Sequence, residues 1–145
     1  MLKAIDIKAE LAKSSFSHGR SKAGTAAEQS DAFITLAPYR DGGIFSGSIW
    51  GESQWERHQK GDEIVHVLDG ATTVTIMMDD GPQSFEMTAG MMIVIPQEHW
   101  HLFQAPDGVT LMTITPQPTE HIHADDPRSR ELSARLERWR RRTVR

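Results

Sequence analysis

The chain has 145 residues, 38% of them hydrophobic and 25% charged, with a formal net charge of -4 at pH 7; these are the proportions of one soluble globular domain, not of a disordered chain or a disulfide scaffold. It contains no cysteine, which excludes disulfides, thiolate nucleophiles and Cys-held zinc or iron–sulfur groups and leaves His, Asp and Glu as metal ligands. No apolar run approaches the ~18 residues of a membrane span and no basic-then-apolar leader opens the sequence, so the expectation is a cytoplasmic protein with no membrane attachment.

From Leu2 to Lys13, Leu2, Ile5, Ala9 and Ala12 form an apolar stripe at helical spacing, with Asp6 near the start; this predicts one short helix. Ser14 to Ser30 is rich in Ser, Ala, Gly and charge without period and reads as an arm wrapping the domain. The character then changes to short runs of Val, Ile, Met, Phe, Thr and Trp. These predict strands over Ala32–Leu36, Gly43–Trp50, Trp55–Gln59, Glu63–Leu68, Thr72–Met78, Gln83–Glu86, Met91–Ile95, His101–Ala105 and Thr110–Thr115. Asp-Gly pairs at Asp41, Asp69, Asp80 and Asp107 punctuate them and signal tight hairpin turns. Many short strands with no helix between them mean a β-sandwich or barrel and remove the βαβ nucleotide-binding folds.

After Pro116-Gln117-Pro118 the chain is expected to leave the sheet. Asp125-Asp126-Pro127 then offers an N-cap with Pro at the first helical position, and Leu132, Leu136 and Trp139 share one face of the helix that follows. The organisation is thus a helix and arm over 1–30, a barrel over 31–116, and a linker and helix over 117–145. From Arg128 to Arg145 there are eight Arg against Glu131 and Glu137, a local +6 that leaves -10 for the rest. A basic tail on an acidic body docks on that body or on a second subunit, and without a nucleic-acid-binding motif it argues against nucleic acid as partner.

Polar residues concentrate in two segments of the β region, Trp50 to Gly70 and Gly90 to Ala105. Here the sequence resembles the cupin superfamily, whose motifs are written G-x5-H-x-H-x3,4-E-x6-G and G-x5-P-x-G-x2-H-x3-N. Glu63 is followed by six residues and Gly70, and Gly90 by five residues, Pro96 and then His101; Glu98 stands at the motif glycine and Ala105 at the asparagine. The resemblance implies an all-β, double-stranded β-helix, a jelly-roll-like barrel, with a metal held by three His and one Glu.

The first motif is altered, and two alignments compete. With Gly51 as the motif glycine, Arg57 and Gln59 occupy the His positions; with four residues before the glutamate, Glu56 and His58 do. Strand side chains alternate, so Glu56 and His58 share one face and Arg57 and Gln59 the other. Arg stays protonated and does not ligate, which favours His58, Glu63 and His101 as ligands with Glu56 beside them. Such a set suits Fe, Mn, Ni or Zn as a divalent ion. His99, two residues before His101, is expected to point the same way, as a reserve ligand, an orienting partner or a substrate contact. Glu56, His99 or Gln59 would supply acid–base or orienting groups.

Trp50, Trp55 and Trp100 flank the motifs as candidates for the barrel mouth or a subunit contact. The strand-region methionines read as core filling, His66 as a packed histidine out of phase with Glu63, and His121-x-His123 as lying beyond the sheet. The expected function is a metal-dependent enzyme of oxygenase or isomerase type acting on a small organic molecule in the barrel. The alternative is a non-catalytic module that binds such a molecule with an eroded or absent metal site. Val65 and Val67 on one face of their strand, and Ile64 and Leu68 on the other, leave an apolar outer surface that calls for a homodimer.

Overall fold

Alternation along the strands decides which face becomes interior. In the computed structural model, which describes residues 2–13 and 33–143, Glu63, Val65 and Val67 are buried while Ile64, His66 and Leu68 lie on the opposite, partly exposed face. The elements are α1 (Ile7–Lys13), β1 (Ile34–Tyr39), β2 (Gly42–Glu52), β3 (Trp55–His58), β4 (Glu63–Met78), β5 (Gly81–Thr88), β6 (Met92–Ile95), β7 (His101–Pro116), β8 (Thr119–Ile122) and α2 (Ser129–Thr143). The strands form one antiparallel sheet in the order β1-β2-β7-β3-β8, with β4 pairing β5, β6 and β7. The sheet curls around a core of Val65, Val67, Val74, Ile95, Phe103 and Leu111 with their neighbours. Val65, Val67 and Leu111 are fully buried, each such side chain worth about 1.5–3 kcal/mol relative to exposure.

Two of the four Asp-Gly pairs make hairpins, at the β1–β2 and β4–β5 turns. The other two do not, and this is why β4 and β7 are each one long strand where two short ones were expected. Asp69 pairs with Thr110 and Gly70 with Val109, with register shifts on either side. Gly70 and Gly108 sit at φ +79 and +89, and a Cβ on Gly70 would lie 2.4 Å from the Gly108 carbonyl oxygen. Positive φ serves a bulge as well as a turn, and here it lets two strands bend together.

The segment expected to leave the sheet after Pro116 returns as β8, pairing with β3 so that Glu56 faces His121 and His58 faces Thr119. Helix α1 starts at Ile7, later than Leu2, because the Asp6 carboxylate accepts the Ala9 N–H at 3.0 Å and fixes the first turn there. The C-terminal helix likewise starts two residues past Pro127: Asp126 accepts both the backbone N–H and the guanidinium of Arg128, and a turn closes from Ser129 to Asp126. Its stripe of Leu132, Leu136 and Trp139 is 49%, 57% and 63% exposed. Among the methionines Met77 and Met87 are buried, whereas Met91 and Met92 are exposed, so core filling describes only part of the set. The arm over 14–30 and Ala32 of the first predicted strand lie outside the described residues. No helix among the described residues is long and apolar enough to cross a membrane.

Candidate metal centre

Three strands aim side chains at one point. β3 carries Glu56 and His58, β4 begins with Glu63 and β7 with His101; Glu56 and His101 are directly paired across β3 and β7. One ligand atom from each of the four lies within 4.8 Å of every other. His58 Nε2 is 3.0 Å from Glu63 Oε2, while His101 Nε2 is 3.2 Å from Glu63 Oε1 and 3.3 Å from Glu56 Oε1. Despite these separations His58 Nε2, His101 Nε2 and Glu63 Oε1 are buried without an aligned hydrogen-bond partner. Their lone pairs converge on a common space instead of on each other. Donor atoms bound at about 2.0–2.2 Å to one ion lie ~3 Å apart around it, so the residues present fit a divalent metal.

The surroundings fix each donor. His101 Nδ1 lies 3.0 Å from the His99 carbonyl oxygen; a carbonyl only accepts, so Nδ1 carries the hydrogen and Nε2 faces the centre. His58 Nδ1 is 3.1 Å from the Thr119 hydroxyl, and the Thr115 hydroxyl donates to Glu63 Oε2 at 2.7 Å. Glu56 is held from outside by His121 Nε2, 3.2 Å from its Oε2.

Without a metal the cluster is a network of opposite charges. Burial works against a charged His101, yet the close contacts and charges of Glu56 and Glu63 push its pKa up to about 10. For Glu63 burial works against the anion, and the close contacts with His101 and His58 outweigh it, holding the carboxyl below its ordinary value. Glu56 is lowered in the same way, burial being overcome by His101 and His121. The bond to Glu56 raises His121.

Arg57 occupies the other face of β3, and Gln59 follows just past the strand's end. Arg57 pairs with Glu120 at 2.9 Å and with Glu131 of α2 at 2.7 Å, and stacks over Trp100 at 4.4 Å; Gln59 bonds to Glu120. The structure therefore places His58, Glu63 and His101 together with Glu56, and sets Arg57 and Gln59 apart from them.

His99 does not point with His101. Residues 96–100 form a turn and not a strand, with Glu98 at φ +67, so strand parity fails there. The His99 ring bonds the Gln97 carbonyl and faces a groove beneath α2; its backbone carbonyl, not its imidazole, serves the centre. The Glu98 N–H donates to the His58 carbonyl at 2.9 Å, tying that turn to the ligand strand. Left-handed backbone at this position explains why the motif carries glycine there. Trp55 and Trp100 are buried with Met77, Leu102 and Ile122, and Trp50 packs over Gly108; none of the three lines the cavity at the centre. His121 is the residue that sequence reasoning set aside. Its only signal was the alternation Thr119, His121 opposite buried Ile122, readable once β8 is known to pair with β3.

A curled antiparallel barrel that gathers two histidines and two glutamates at an interior point is a scaffold for metal-centred or small-molecule chemistry. The sequence profile of the cupin domain matches residues 50–115, so that stretch of the chain is a cupin domain. A cupin-2 domain protein from Shewanella frigidimarina NCIMB 400 is 24% identical, with TM-score 0.52 over 66% of this chain and 96% of its own. The protein NMB1881 from Neisseria meningitidis is 21% identical, with TM-score 0.55 over 79% and 100%. A hydroquinone 1,2-dioxygenase from Sphingomonas sp. TTNP3, solved with 4-hydroxybenzoate bound, is 16% identical, with TM-score 0.52 over 59% of this chain and 65% of its own. At these identities the likeness is one of fold. No curated protein matches the chain by sequence.

Proposed function

We propose that the chain is a metal-dependent enzyme, of oxygenase or isomerase type, acting on a small organic molecule at the barrel interior. The observation that carries this is the convergence of His58 Nε2, His101 Nε2 and Glu63 Oε1, buried and without an aligned hydrogen bond, on one space beside Glu56. A divalent ion there would act as a Lewis acid or oxygen-binding centre. Glu63 and the two imidazoles hold it; Thr115, Thr119 and the His99 carbonyl keep their donor atoms aimed. Glu56, 22% exposed and hydrogen-bonded to His121, is the carboxylate placed to accept or return a proton at the cavity edge. Elemental analysis of protein purified without chelator should return one metal per chain, lost in Glu63→Ala and His101→Ala.

A second reading, a binding module without metal, is favoured by the charges of the cluster itself, in which His101, its pKa raised, lies between two carboxylates that can balance it without an ion. Saturable ligand binding by metal-free protein, with no metal in the purified chain, would select it. For assembly, our reading is that a second copy of this chain covers the exposed apolar surfaces. The Leu132, Leu136 and Trp139 stripe and the outer residues Met92 and Val94 are about half exposed, and the basic α2 complements an acidic body on the facing copy. The cytoplasm is the matching location.

A further inference from the structure

The centre opens into a cavity of about 260 Å³. Its apolar wall is formed by Phe33, Phe45 and Phe103 with Ile49 and Leu111; the glutamates and histidines of the centre and His121 form its ionisable side, and Gln54 and Gln117 add uncharged polar groups. Among the described residues no Lys or Arg lines it; Arg57 is committed on the far side of β3 to Glu120 and Glu131.

Charge counting then separates ligand classes. Two glutamates with two neutral imidazoles balance a divalent ion, so the loaded centre has no net charge. A dicarboxylate would bring two negative charges into a partly desolvated site beside two carboxylates that repel it, where the metal's charge is already balanced, His121 is committed to Glu56 and no Lys or Arg is at hand. An uncharged molecule meets no such penalty. An apolar cavity of about 150 Å³ accommodates benzene, so this one has room for a six-membered ring with one or two substituents, its flat faces against the phenylalanines. Hydroxyl hydrogens would find acceptors in the glutamines and in Glu56.

Resting on the functional reading above, we propose that the ligand is an uncharged, ring-sized apolar molecule bearing hydroxyl groups, of the phenol class, and that small carboxylates are poor ligands. The full chain is loaded with Co(II), and phenol, benzoate and malonate are titrated by calorimetry. Phenol should bind at least tenfold more tightly than either carboxylate. Phe45→Ala should weaken phenol at least fivefold without changing the Co(II) visible spectrum, and Phe33→Ala should do the same, which keeps the test decisive if one variant fails to fold. Gln54→Lys, which adds the missing cation, should narrow the gap between malonate and phenol. A chain that takes up no Co(II) overturns the functional reading and this inference with it. A chain that takes up one Co(II) but fails to bind phenol, binds malonate as tightly, or ignores both Phe substitutions overturns the inference alone.

Discussion

Glu63→Gln removes one charge from the buried network while keeping the side chain's shape. In the metal-free protein Glu63 is 4% exposed, 3.0 Å from His58 Nε2 and 3.2 Å from His101 Nε2. Removing one partner of a buried ion pair costs about 3–5 kcal/mol because the other charge is left undercompensated. Glu56 still faces His101 at 3.3 Å, so the lower end, about 3 kcal/mol, is expected. The pH dependence has a definite sign. His101 has its pKa raised from 6.5 to about 10, so its contribution is fully present below pH 6.5 and falls as pH rises towards 10, by about 1.4 kcal/mol per pH unit for one proton. Glu63 is lowered from its ordinary 4.5, so its contribution is present above pH 4.5 and is lost on acidification. Urea unfolding with chelator present, from pH 4 to 10, should show wild-type stability declining above pH 6.5, and a Glu63→Gln penalty that shrinks over the same range. A penalty below about 1 kcal/mol at pH 6, or one indifferent to pH up to 10, would refute the charged-network account.

Metal should stabilise the fold by linkage, about 2.7 kcal/mol at a hundredfold excess over Kd; the melting temperature should rise with Co(II) or Zn(II) in wild type and stay fixed in His58→Ala. Gly70→Ala should destabilise by about 2–4 kcal/mol in urea titrations, since φ +79 is unfavourable for alanine and the Cβ would press on the Gly108 carbonyl at 2.4 Å, a backbone atom that cannot swing aside. Light scattering at micromolar concentration should return about twice the 16.3 kDa chain mass, with removal of residues 126–145 reducing assembly and high salt weakening its electrostatic part; a monomer at low salt would count against the second copy.

What could be read from the sequence divides along the line between local and long-range information. Glu63, Gly70, Pro96 and His101 lie at fixed spacings, and His58 follows from strand parity together with the unsuitability of Arg57 as a ligand. Strand parity is sound only inside a strand, and His99 shows its limit: the turn at 96–100, with Glu98 at φ +67, rotates its ring away from that of His101. Asp69-Gly70 and Asp107-Gly108 carry the same local signal as the true hairpins, and only their meeting across β4 and β7 makes them bulges. Nothing within either dipeptide records the other.

His121 belongs to that second kind of information, and it sharpens what the site is. It reaches Glu56 solely because β8 pairs with β3 at Glu56 and His121, so its place depends on a strand contributed by residues beyond the matched 50–115. Glu56 replaces a neutral imidazole of the family pattern with a negative charge, and a carboxylate next to Glu63 is costly unless something balances it. Part of that balance comes from His101 on one side and His121 on the other, the two groups that hold Glu56 ionised despite burial. The altered motif is therefore matched by a charge partner elsewhere in the chain, His121 of β8. Glu56 thus has an imidazole nitrogen against each of its oxygens, at 3.3 and 3.2 Å, so its negative charge is met from both sides of β3.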